Sequence, residues 1–129
     1  MITHLHDLDA LEAAIAESCQ RPVLLFKHSR TCGISCEALD ELNAHVEQVQ
    51  RGGQAPWRDE RESLSPSAAA SAVYKVITVQ SHRHLSDETA ARLGVRHQTP
   101  QAILLRGGKP VWKASHFRIT ADALTEALS

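Results

Sequence analysis

Four apolar residues in a row, VLLF at 23–26, constrain this chain more than any other stretch. A strand with one wet face alternates apolar and polar residues. A run without alternation suits a strand covered on both faces, as at the centre of an α/β layered domain. The segment after it agrees. A turn, KHSRTC, leads into a stretch where Ala38, Leu42, Val46 and Val49 mark one face of a long helix that closes at Gly52-Gly53. Ahead of the run, Asp7 is placed to cap a helix reaching about Ser18, with Leu8, Leu11 and Ile15 spaced along one face and Arg21-Pro22 breaking it.

Bulk properties exclude several classes. The chain has 129 residues, 43% hydrophobic and 22% charged, which fits one ordinary globular domain over 1–129. Its 14 basic and 15 acidic residues leave a net charge of -1, so no basic surface for nucleic acid or an anionic membrane is expected. No apolar run approaches the roughly 18 residues that span a bilayer. The first residues, MITHLHDLD, are acidic early and lack the basic-then-apolar order of a signal peptide. Three cysteines, an odd number, speak against a disulfide framework, and the expected location is a reducing cytoplasm.

Periodicity vanishes over 51–72, RGGQAPWRDERESLSPSAAASA, which reads as an extra loop insertion with a short helical turn near 59–64. A second strand follows at 73–79, then a helix that Ser86 can cap and Gly94 can stop. Residues 101–106 and 110–112 read as a hairpin about Gly107-Gly108, and Thr120 opens a last helix with Ala121, Leu124 and Leu128 inward.

Chemistry concentrates in the turn SRTCGISC at 29–36. A thiol reacts as its thiolate, and a helix N-terminus stabilises that form through its dipole and free N–H groups. Cys32 stands at that point. Gly33 allows close backbone approach, and Ser35, three residues on, is spaced to offer its hydroxyl to the thiolate. Arg30 and His28 add positive charge nearby. Cys36 is one turn deeper, where regular helical Cβ atoms are about 5–6 Å apart, whereas a disulfide needs roughly 3.5–4.5 Å. An internal bridge would therefore require the first turn to loosen, and Cys36 stays open as either a resolving thiol or a bystander. Cys19, ending the first helix, is expected to be a small structural hydrophobe. Thr99-Pro100 precedes the strand at 101–106, a place where proline is tolerated.

The two segments FKHSRTCGIS and LGVRHQTPQAILLRGGKPVWKASHFRIT closely resemble the YtxJ-type monothiol bacilliredoxin family, over residues 23–50 and 73–128. The resemblance implies a thioredoxin-like fold, a central mixed β-sheet flanked by helices, with a cis Thr99-Pro100 bond lying against the cysteine turn. It implies a thiol–disulfide oxidoreductase with no bound cofactor. Its co-substrate would be bacillithiol, a small thiol bearing glucosamine and malate, or a similar thiol. Cys32 would attack the mixed disulfide of an S-thiolated client protein and take up the small thiol, which a second thiol or a reductase then removes. Thr31, Gly33, Ile34 and Ser35 would shape the turn, and Thr99 and Pro100 would line the groove. Arg30, Arg96 and His97 are candidates for the malate carboxylates. Gly33 stands where the family has proline, and Cys36 follows the motif, so a Cys32/Cys36 dithiol enzyme is the alternative.

Two other readings compete. His28, Cys32 and Cys36, with His97, are soft ligands resembling those of copper chaperones. His4-x-His6 and His82-x-His84 lack cysteine partners or regular zinc spacing, and no metal is expected. A non-catalytic partner-binding module is the last, with Trp57 and Trp112 as contacts.

Overall fold

The computed structural model describes residues 2–31, 33–52 and 72–128. Cys32, Trp57 and nearly all of the expected insertion lie outside the described residues. The elements run β1 (Ile2–His4), α1 (Leu8–Glu17), β2 (Val23–His28), α2 (Gly33–Gly52), β3 (Val73–Thr78), α3 (Arg83–Leu93), β4 (Gln101–Arg106), β5 (Lys109–Ser115), a 3-10 turn (His116–Arg118) and α4 (Ala121–Leu128). They build a mixed five-stranded sheet in the order β1-β3-β2-β4-β5. β1 and β2 run parallel to β3, while β4 is antiparallel to both β2 and β5.

The run at 23–26 is the middle of that sheet, and all six residues of β2 are buried. Strand periodicity divides them. Leu24 and Phe26 meet Ala38, Leu42 and Val46 of α2 and Leu124 and Leu128 of α4. Val23 and Leu25 meet Leu11 and Ala14 of α1, Leu85 of α3 and Val95. Both faces are thus covered, and α2 starts where β2's turn ends.

Local signals explain most boundaries. The Asp7 carboxylate accepts from the Ala10 N–H at 2.7 Å, capping α1 as expected. Its Leu8 is exposed, so the buried face rests on Leu11 and Ala14. Gly107 and Gly108, with φ of 63° and 77°, form the two-residue turn between β4 and β5 that only positive φ at both positions allows.

Several expectations need correction. Ser86 does not cap α3: its N–H already bonds to the His82 carbonyl at 3.0 Å, so the helix has begun earlier, and the Ser86 side chain is buried. β5 is longer than 110–112 because its alternate residues are half-buried, which hides the apolar pattern. Cys19 is exposed, since α1 ends before it and leaves its side chain outside the core. β1 was not anticipated. Three residues carry too little pattern, and they hold their place by pairing Ile2, Thr3 and His4 with Tyr74, Lys75 and Val76.

Candidate active site

The C-terminal end of β2 and the start of α2 are joined through one buried hydroxyl. Ser35, fully buried in α2's first turn, accepts from the Ser29 N–H at 2.9 Å and lies 2.8 Å from His28 Nδ1. Burial holds His28 below its ordinary pKa, helped by the charges of His4 and Arg30 and opposed by the bond to Ser35. The turn between them is held from outside. Gln80 Nε2 donates to Ser29 Oγ at 2.6 Å and Thr31 Oγ1 at 3.1 Å, and Gln80 Oε1 accepts from the Arg30 N–H at 3.1 Å. Arg30 Nη2 reaches Ser81 Oγ at 3.0 Å. Sequence reasoning missed Gln80 and Ser81. Nothing in a polar pair after a strand distinguishes a clamp from an ordinary loop.

A second wall comes from residues 96–100. The Thr99-Pro100 bond is cis, and Pro100 is buried. The Pro100 carbonyl accepts from the His116 N–H at 3.2 Å, which ties this loop to the 3-10 turn, where His116 takes φ 55°. Arg96 and His97 are exposed at the other end of the loop, and the Arg96 carbonyl accepts from Gln101 Nε2 at 2.9 Å.

The loop also reaches the one charged side chain of β2. Lys27 is fully buried, opposite Gln101 in the register, with Nζ 3.2 Å from His97 Nδ1. Burial lowers its pKa to about 8, with the Asp87 carboxylate opposing the shift. A lysine directly after four apolar residues was the available signal, yet it reads equally well as the end of the strand.

The expected site residues therefore fall into two groups. Arg30, Thr31, Gly33 and Ser35 gather around the β2–α2 turn, while Arg96, His97, Thr99 and Pro100 form the loop that Lys27 links to β2. Gly33 is exposed with open space around its Cα, and Cys36 is exposed as a free thiol. Cys32, the expected nucleophile, lies outside the described residues; α2 begins at the residue after it. Beside this site a groove of about 460 Å³ runs between Ile34, Glu37 and Glu41 of α2 and His116 and Phe117.

A family model decides the affiliation: monothiol bacilliredoxin BrxC, matched over residues 3–56 and 54–124. The chain belongs to the monothiol bacilliredoxin BrxC family. Among solved structures, a protein provisionally described as an oxidoreductase with a thioredoxin fold is 29% identical with a TM-score of 0.74, over 99% of this chain and 94% of that one. Fasciola hepatica thioredoxin shares the fold at 14% identity and a TM-score of 0.66, over 98% and 95% of the two chains. So does mitochondrial thioredoxin 3 from Saccharomyces cerevisiae, at 14% identity and a TM-score of 0.64, over 98% and 92%. This bacilliredoxin is a thiol–disulfide oxidoreductase with a thioredoxin-like fold, and its redox chemistry is thiol-based.

Among the described residues no three His, Cys, Asp or Glu side chains gather as a metal set, although His6 Nδ1 and His82 Nε2 approach to 3.4 Å. No helix among them is long and apolar enough to cross a membrane.

Proposed function

We propose that the chain acts as a single domain in a reducing cytoplasm, removing bacillithiol from S-thiolated client proteins with Cys32 as nucleophile. The observation that carries this reading is the family match, which spans both the cysteine turn and the cis-proline segment. The start of α2 at Gly33 adds physical support, because a thiolate beside a helix N-terminus gains from the dipole and the free N–H groups.

The proposed exchange balances in two steps. The Cys32 thiolate attacks the bacillithiol sulfur of the mixed disulfide; the new S–S bond forms as the old one breaks, and the client leaves as its thiolate. A second bacillithiol then attacks the adduct, releasing Cys32 and oxidised bacillithiol, which a separate reductase must reduce. Arg30, Arg96 and His97 are offered to the carboxylates of the small thiol, and Thr99-Pro100 to the substrate backbone.

Cys36 supplies a second reading. It is exposed and free, so it is open to attack an adduct on Cys32 and close an internal disulfide. Intact mass after mixing reduced protein with oxidised bacillithiol separates the two. A lasting single adduct mapped to Cys32, absent in Cys32→Ser, is the expected result. Loss of two hydrogen atoms with Cys32 joined to Cys36, the electrons passing to oxidised bacillithiol, would establish the dithiol cycle instead. An unmodified protein would overturn both.

A further inference from the structure

A lysine ammonium has three protons to give and no lone pair, so whatever nitrogen it meets must accept. Lys27 Nζ lies 3.2 Å from His97 Nδ1, and Ser86 Oγ lies 3.3 Å from the same nitrogen. Both Lys27 and Ser86 are fully buried. Ser86 by itself would tolerate either tautomer, since a hydroxyl donates or accepts. Lys27 does not. With the ammonium present, Nδ1 keeps its lone pair inward and the neutral ring carries its proton on Nε2. Nε2 lies 3.3 Å from Thr99 Oγ1, directly before the cis-proline. The Thr99 oxygen then accepts, and its own hydrogen is left to donate elsewhere.

We propose that Lys27 is a positioning residue for the exchange reaction: it fixes the Nε2–H form of His97, whose proton goes to Thr99, so that the Thr99 hydroxyl presents its own hydrogen to a carboxylate of the small thiol. Deepening the function proposed above, the inference rests on that reading. A carboxylate is an acceptor-only group, matched to a rim of donors, and exposed Arg96 stands beside them. The other charges facing the ring are Asp87 and Arg83, both on α3. His97 is held below its ordinary pKa by burial first and then by Lys27, with Asp87 opposing and Arg83 adding to the fall. A neutral ring at working pH is what the geometry requires. Lys27 itself, at about 8, is mostly ammonium there.

Two readouts test the inference, and the first needs no turnover. Nitrogen-15 spectra of wild-type protein at neutral pH should show His97 as the Nε2–H tautomer. In Lys27→Met, which keeps the buried stem, Nδ1 becomes free to donate to Ser86; the ring should divide between tautomers and titrate at higher pH. A wild-type ring protonated on Nδ1, or an unchanged titration in the variant, would overturn the proposal. The second readout compares a client protein's mixed disulfide with bacillithiol against its mixed disulfide with 2-mercaptoethanol, which has no carboxylate. Lys27→Met should raise KM about tenfold for the former, the scale of one lost hydrogen bond, and leave the latter unchanged. Equal effects on both substrates, or none on either, would also overturn it. If wild-type protein exchanged neither disulfide, the proposed function would fall, while the His97 spectra would still decide whether Lys27 sets the ring.

Discussion

Ser35 has one proton and two lone pairs, and its surroundings claim most of them. One lone pair takes the Ser29 N–H. The rest depends on His28. If Nδ1 is bare, Ser35 donates to it and has no proton left for a thiolate. If Nδ1 carries the proton, it donates to Ser35, both lone pairs are filled, and the hydroxyl hydrogen is free. Only the Nδ1–H tautomer of this buried histidine, 2.8 Å away, leaves Ser35 a proton to offer a thiolate. In either case its removal leaves the Ser29 N–H without its acceptor and His28 Nδ1 without its partner. Ser35→Ala is expected to lose about 1–3 kcal/mol of stability, the usual cost of stranding buried polar groups, together with exchange rate. Urea unfolding measures the first quantity. A variant as stable as the wild type would mean that these bonds are not formed in solution, and the hub assigned to Ser35 would be lost with them.

At the scale of elements, α2 carries a 20-residue helix on a weak first position. Glycine at a helix start leaves the unfolded chain more freedom than any other residue, and proline is well suited there because its φ is preset and no intrahelical hydrogen bond is lost. A Cβ at Gly33 would meet nothing within 4 Å. Gly33→Pro is expected to stabilise the protein by about 0.5–1 kcal/mol through the unfolded state, read as a higher urea midpoint at unchanged slope. A lower midpoint would show that the residue before it cannot take the extended backbone a following proline favours. The same elements show what a sequence discloses. The strand at 23–26 was legible because burial on both faces leaves an unbroken apolar run, and the inner faces of α2 and α4 because burial on one face imposes a helical period. β1 was not, since a three-residue edge carries little period, and β5 was legible only at 110–112, since its half-wet edge hides the rest. Ser86 misled because a serine before an apolar run resembles a cap, and only the loop at 97 gives it other work. The cysteine turn and Thr99-Pro100 could be read from motif. Lys27 could not: its meaning depends on a ring 70 residues away.

Across the described residues, the fold holds three histidines below their ordinary pKa. His45 of α2 is fully buried between β3 and α4, with Nδ1 2.9 Å from Thr125 Oγ1 and Nε2 2.9 Å from Tyr74 Oη. Thr125 already donates its hydroxyl proton to the Ala121 carbonyl at 2.9 Å, so it accepts from His45 Nδ1–H, and Nε2 is left to accept from the tyrosine. Burial agrees at both ends, lowering the pKa of His45 and raising that of Tyr74 to about 12. His28 and His97 are lowered as well. For all three the sign is the same. The folded state holds the ring neutral, while the unfolded chain protonates near the ordinary value of about 6.5. Their contribution is complete above that value and is lost as pH falls through it toward the folded pKa values, because the unfolded state then binds more protons. Unfolding free energy should therefore decline from pH 7 to pH 5. His45→Gln, which keeps one donor and one acceptor between Thr125 and Tyr74, should flatten that decline by up to about 1.4 kcal/mol per pH unit, one proton's worth. Urea titrations of both proteins across that range give the two slopes. Parallel slopes would show that His45 is charged in the folded state or neutral in both, and that the Tyr74–His45–Thr125 chain does not set the acid limit of the fold.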